Sequence, residues 1–383
     1  MNLDIRRAKT EDEARELTRV ARRCFHIVLR LLVTKPKWAY GAWDGERCLG
    51  GVFLKESAGV GIIEWIFVAK EARGLGLAKR LTAVALREFE RRGLTRWAAS
   101  VRDDNTASWS LFAARGFRSV SMAEATRLLG PIAAIRVAVV ATQAVGIGFD
   151  LWLGSKTPAA GYAVGHPADH AADNTVDDAA DSAVPALSTL ETTAPGTWAS
   201  SVVFHLGIHG LFVLFGVLRF GMAAGPGVLG MAAVLLVRLL FSYAAARAAG
   251  LSGRLRVPRG GWLVALVVAP LGGTLFYPAF WHPRVARWRE PDHRAALGLS
   301  ALFGAIGVMA LRIAASLAVG LQAVGSAPVL AGTASAVGYF SFYVLLFDMN
   351  PLFEAYAGPR ILRWNKWIYG AALLATAATL VFM

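Results

Sequence analysis

Cysteine is nearly missing from this 383-residue chain: only Cys24 and Cys48 occur. So few thiols exclude a disulfide-stapled fold and fit a reducing compartment, where both serve as packing residues. Missing as well is an apolar stretch behind the basic residues of the opening MNLDIRRAKTEDEARE, so no cleavable leader is expected and the first domain is expected to stay cytoplasmic. Charge becomes scarce after residue 130: residues 131–383 hold 16 Lys/Arg and 11 Asp/Glu, against 24 and 15 before it. With 56% hydrophobic residues and a mean hydropathy of +0.48, an ordinary soluble enzyme is excluded for the whole chain. The excess of base over acid in the first third fits an anionic partner, and lipid headgroups fit better than nucleic acid, which is not expected.

What is present in that charged third is an alternation of strand and helix signals. Asp4–Ala8 reads as a strand, and Thr10 with Glu13 forms a capping box that opens a helix to about Arg23. Two β-rich runs flank Asp44-Gly45, a strong hairpin signal. The run GIIEWIFV (61–68) is a buried strand, 77–93 has helical periodicity, and 96–101, 105–116 and 117–122 follow as strand, helix and strand. This order makes an α/β domain over residues 1–128.

Beyond it, residues 129–383 are expected to form an all-α polytopic transmembrane domain. Apolar runs at 131–153, 198–218, 227–246, 261–281, 297–322, 329–347 and 367–383 approach the length that spans a bilayer core, giving six or seven segments. An aperiodic acidic stretch, 155–196, reads as a disordered loop beyond the membrane. Basic residues before the first run and acidic ones after it place the N-terminal domain in the cytoplasm.

The chemistry-bearing piece is EWIFVAKEARGLGLAKR. A strand ends at Val68, a turn with Gly74 and Gly76 follows, and a helix starts near Leu77. Such a turn presents unpaired N–H groups and the positive end of a helix dipole, a seat for pyrophosphate that glycine leaves open. The segment Arg73-Gly74-Leu75-Gly76-Leu77-Ala78, with Asn105-Thr106-Ala107-Ser108-Trp109-Ser110-Leu111-Phe112 and Arg115-Gly116-Phe117 downstream, resembles the acetyl-CoA loop and tail of the GNAT N-acyltransferase superfamily. The resemblance covers residues 3–125 and implies a mixed sheet flanked by helices. It also implies that backbone groups of Ile66, Phe67 and Val68 hold the pantetheine arm where two central strands splay, that residues 74–79, Lys79 included, hold the pyrophosphate, and that Asn105 contacts the cofactor. Glu64 stands where many members carry the general base, and a carboxylate amid apolar neighbours is costly to bury unless paired or used. The position usually held by a tyrosine that reprotonates the thiolate is Phe112, which has no proton to give.

In the apolar portion, His205 and His209 are spaced i, i+4 and share one helical face. They resemble the zinc helix of the site-2 intramembrane metalloproteases, as do Ala269-Pro270-Leu271-Gly272 and the stretch from Phe347 to Tyr369. The glutamate that would activate a zinc-bound water is replaced by Leu206, so hydrolysis by that route is lost. With a carboxylate from Asp348 or Glu354 the two histidines could still hold zinc; without one they are packing residues. The expected function is a membrane-attached N-acetyltransferase moving acetyl from acetyl-CoA to a small-molecule or peptide amine, at a multi-pass cell membrane. The alternative is a non-catalytic regulator, a pseudoprotease with an acyl-CoA-sensing N-domain. Neither the acceptor nor the oligomeric state has a signature in the sequence.

Overall fold

A computed structural model describes residues 3–25, 30, 32–102, 105–142, 149–156, 197–257, 269–270, 276, 279–283, 290–320, 327–351 and 356–382. They divide into two compact units. One comprises Met1–Val101, Ala107–Gly146 and Asp150–Leu187; the other comprises Ser188–Met383 with the short stretches Arg102–Thr106 and Ile147–Phe149.

The first unit is built on a seven-stranded sheet. Strands β1 (Leu3–Arg7), β2 (Ala39–Asp44), β3 (Arg47–Ser57) and β4 (Val60–Val68) form an antiparallel meander. Helix α1 (Glu11–Cys24) sits between β1 and β2, and its expected capping box is present: Thr10 accepts from Glu13 N, while Glu13 accepts from Thr10 N. Helix α2 (Leu77–Arg91) makes the crossover to β5 (Arg96–Arg102), which joins β4 in parallel, as a helical crossover allows. Helix α3 (Thr106–Ala113), β6 (Arg118–Val120), α4 (Met122–Leu129), α5 (Pro131–Thr142) and β7 (Phe149–Ser155) complete it, in the sheet order β1-β2-β3-β4-β5-β7-β6. A second capping box, Ser121 with Glu124, starts α4.

Here the expectation of one membrane helix over 131–153 is corrected. Its first half is the 12-residue α5 and its last five residues belong to β7, paired antiparallel to β6 at Val120↔Leu151 and Arg118↔Leu153. Ala134, Val137, Ala141, Leu151 and Leu153 are buried with Val60, Ile62, Ala98 and Val120. The buried part of the run is apolar because it packs on the sheet, where removal from water by protein demands the same composition as removal by lipid, whereas Ile132, Ile135 and Val139 of α5 are exposed.

Neighbouring strand residues point to opposite faces, so their clusters assign the faces. Val52 and Leu54 pack with Leu81, Ala85 and Phe89 of α2, whereas Phe53 between them packs with Leu17, Val20 and Ala21 of α1. Ile63 lies on the α2 side and Ile62 joins the α5 cluster. Helices α1 and α5 therefore cover one face and α2 the other.

The second unit contains α6 (Thr197–Phe220), α7 (Ala224–Ala248), a hairpin of β8 (Gly253–Arg256) and β9 (Phe280–Pro283), α8 (Glu290–Gly320), α9 (Pro328–Asp348), α10 (Ala357–Trp364) and α11 (Lys366–Phe382). Small residues let the long helices close on one another: a Cβ at Gly230 of α7 would lie 2.6 Å from Ala336 Cβ of α9, and one at Gly307 of α8 would lie 2.7 Å from the Phe241 ring. Among the described residues three helices, α7, α8 and α9, are long and apolar enough to cross a membrane, where six or seven were expected. Apolar helices Pro131–Ala141, His205–Phe220 and Lys366–Phe382 are shorter. The acidic stretch from 157 to 196 and most of the 261–281 run lie outside the described residues.

Candidate functional site

Strand β4 behaves differently on its two sides. Toward β3 it pairs from Val60↔Ser57 to Val68↔Gly50, but toward β5 it pairs only at Gly61↔Trp97, Ile62↔Ala98 and Ile63↔Ala99. Both strands continue past that point, β4 to Val68 and β5 to Arg102. The β5-facing backbone groups of residues 64–68 are thus outside any described ladder, which places Ile66, Phe67 and Val68 along an opening in the middle of the sheet.

The opening coincides with a bulge. Phe53 pairs with Trp65 and Leu54 with Ile63, so Glu64 is an extra residue in β4. The inserted residue reverses the alternation: Ile63 and Ile66 both lie on the α2 side, while Trp65 and Phe67 lie on the α1 side. The Glu64 side chain is 6% exposed and its Oε1 accepts from Lys55 Nζ at 2.6 Å; Lys55 itself is 44% exposed. Beside this half of β4 stands the end of α1, where the Phe25 ring lies 4.8 Å from Trp65 and Cys24 Sγ donates to the Val68 carbonyl at 3.6 Å.

After β4 a 3₁₀ turn, Lys70–Ala72, buries Ala72 and turns the chain into the glycine segment. Gly74 has φ +88° and Gly76 φ +69°, a region where side chains are strained, and nothing lies within 4 Å of either Cβ position. Arg73, Gly74, Leu75 and Gly76 are exposed, whereas Leu77 is buried and anchors α2. No side chain caps α2, and its first internal bond runs from Arg80 N to Gly76 O at 3.2 Å. The N–H groups of Leu77, Ala78 and Lys79 consequently face open space at the positive end of the helix, with the exposed Lys79 and Arg80 beside them. Arg115 Nη2 donates to the Lys79 carbonyl at 3.3 Å, tying the end of α3 to this turn. An anion with two phosphates fits such a place.

Asn105 stands just before α3, its N–H donating to the Arg102 carbonyl at 3.1 Å. Phe112 is 2% exposed and packs against Phe117 with ring centroids 5.1 Å apart, so its position holds a core aromatic without a hydroxyl. Sequence reasoning missed the Lys55 partner of Glu64 and the bulge itself. Neither had a signal, since IIEWIFV is apolar at positions of both faces.

Residues 7–117 match the model of the acetyltransferase (GNAT) family. The first unit carries a GNAT domain. Two relatives align with part of it: a mycothiol acetyltransferase of Geodermatophilus obscurus, 35% identical over 89 residues, and an N-alpha-acetyltransferase 30 of Schizosaccharomyces pombe, 30% identical over 87 residues. Each alignment takes in 21% of this chain, and it spans 29% and 58% of the two relatives. Among solved structures, an IAA acetyltransferase from Bacillus cereus aligns at 22% identity over 31% of this chain and 79% of its own, with a TM-score of 0.27. A PaiA N-acetyltransferase from Thermoplasma acidophilum in complex with coenzyme A aligns at 14% identity over 40% and 99%, with a TM-score of 0.31.

The second expected site looks different. His205 and His209 are buried on α6 with ring centroids 4.3 Å apart, and His209 Nδ1 donates to the His205 carbonyl at 2.8 Å within the same helix. Leu206 is 55% exposed and so points away from them. Asp348, the described carboxylate expected to complete a metal site, is engaged elsewhere: it takes Arg238 Nε at 2.9 Å and Nη2 at 3.1 Å, and Ala357 N at 3.1 Å. Glu354 and the Leu271-Gly272 piece lie outside the described residues. No group of three His, Cys, Asp or Glu able to hold a metal occurs among the described residues, so zinc does not fit what is seen there.

Proposed function

We propose that the chain is a membrane-attached N-acetyltransferase that moves acetyl from acetyl-CoA to an amine. The observation that carries this is the opening of β4 from β5 at the Glu64 bulge, followed directly by an uncapped helix behind two positive-φ glycines. The pyrophosphate rests on N–H groups of residues 74–79, with Arg73 and Lys79 supplying charge, and the pantetheine arm runs along Ile66 to Val68. Asn105 adds a contact to the cofactor. The amine nitrogen attacks the thioester carbonyl, the new C–N bond forms and the C–S bond breaks. Glu64 takes the proton from nitrogen, directly or through water, and the thiolate takes a proton from water in place of the missing hydroxyl at Phe112; the hydroxide left behind is neutralised by the proton that Glu64 releases, which restores the carboxylate. Acceptors are small-molecule or peptide amines, the two kinds suggested by the names of the curated relatives.

On this reading the catalytic unit runs through Ser155 instead of ending at 128, because β7 lies between β5 and β6. Helices α7, α8 and α9 hold it at a cell membrane, with its domain on the cytoplasmic side. A second reading, a sensor that binds acyl-CoA without turnover, is favoured by Phe112 alone. The full chain in detergent is titrated with acetyl-CoA by calorimetry, and thiol release is then followed with a panel of amines. Binding with turnover is expected; binding without turnover for any amine favours the sensor, and no binding sinks both.

A further inference from the structure

Among the described residues of the second unit, the buried Arg312 has no counter-charge. Arg312 of α8 is buried, and its donors meet only neutral groups: Nε donates to the Thr379 carbonyl at 3.4 Å, and Nη1 donates to the Gly338 carbonyl and to Ser341 Oγ at 3.4 Å. No carboxylate pairs with it among the described residues, and Nη2 has no hydrogen-bond partner there. By contrast, Arg238, buried in the same unit, has Asp348. A buried guanidinium without an anion is costly, and the described residues supply none, so an added anion would be held there.

There is room for one. An open cavity of about 430 Å³ is lined by Arg312, Ser335, Gly338, Tyr339, Phe342 and Tyr343, which supply a cation, three hydroxyls and three aromatic rings. Apolar residues are exposed on both helices that line it: on α8, Val319 lies two turns beyond Arg312, and on α9, Leu346 lies one turn beyond Phe342. An inorganic ion has no reason to stay on such a surface. An amphiphile does, with its anionic head on Arg312 and its chains along the exposed residues. Arg312 lies eight residues before the end of α8, about 12 Å at 1.5 Å per residue, within reach of the headgroup layer for a long side chain.

We propose that this cavity binds the phosphodiester headgroup of an anionic membrane lipid. The inference rests on the reading of α7, α8 and α9 as membrane helices. Full-length protein is purified in detergent doped with phosphatidylglycerol or phosphatidylcholine, and retained lipid is counted by native mass spectrometry. Phosphatidylglycerol should be retained about fivefold over phosphatidylcholine. Arg312→Gln should abolish the preference, and so should Ser335→Asp, which leaves Arg312 in place and supplies its counter-charge from within. Circular dichroism confirms that each variant is folded.

Equal retention of the two lipids by the wild type overturns the proposal, as does a preference that survives both variants. Displacement of the lipid by millimolar inorganic phosphate would assign a small-anion site and overturn the lipid source. A chain that stays monodisperse without detergent and ignores vesicles overturns the membrane reading itself, an outcome distinct from the others.

Discussion

Replacing Glu64 by glutamine separates catalysis from architecture. The amide has the shape of the carboxylate, so the bulge in β4 and the backbone of Ile66 to Val68 should persist. Lys55 loses its partner, yet it is 44% exposed, so the stability lost should be below about 1 kcal/mol. A general base contributes about 10²- to 10⁴-fold, or roughly 3–5 kcal/mol of barrier. Turnover should therefore fall by about that factor at neutral pH while the acetyl-CoA dissociation constant moves less than about threefold, because no cofactor contact is removed. Thiol release at saturating acetyl-CoA gives the first quantity and calorimetry the second. The defect should shrink as pH approaches the acceptor amine's own pKa, about 10 for a lysine-like amine, where the nucleophile arrives already deprotonated. A variant that turns over within about threefold of wild type would refute Glu64 as base. One that loses acetyl-CoA binding would move it to the cofactor seat.

Three other outcomes follow from the same geometry. Gly76→Ala forces a side chain into φ +69°, which costs about 1–2 kcal/mol, and sets a methyl where phosphate approaches, so acetyl-CoA should bind about tenfold or more weakly by calorimetry. Arg238→Ala strands Asp348 in the core of the second unit and should destabilise it by about 3–5 kcal/mol, read as a lowered Tm in detergent; Arg238→Leu with Asp348→Leu should be milder. Hydrogen bonds from Arg91, then Arg92 and Tyr40, hold the Glu88 carboxyl down at about 2, below its unfolded value near 4.5. Because the folded value is the lower one, its stabilisation is present above about pH 4.5 and is lost as pH falls toward 2, and Glu88→Gln should flatten acid unfolding of the first unit in that window.

Local signals were legible wherever a short stretch sets its own geometry. Thr10 and Glu13 close a capping box from residues three apart, Asp44-Gly45 sits at a hairpin, and the glycines of 74–76 announce positive φ ahead of an uncapped helix. The loop half of the candidate site was readable for that reason. The half around Glu64 was not: the bulge there depends on how β4 meets β3, and the apolar run around it carries no period that a register shift could disturb.

Composition could say that residues 131–153 avoid water, but not what shields them. Only the packed sheet decided that, by placing β7 between β5 and β6 and covering it with α5. The same division holds in the second unit. Sequence by itself determined that His205 and His209 share a helix face and that Leu206 cannot act as a base. Tertiary structure decided that Asp348 belongs to Arg238, 110 residues away, and that Arg312 has no such partner among the described residues. Spacing along one element is inherited from backbone geometry, whereas which charges meet across elements is settled only when the helices close.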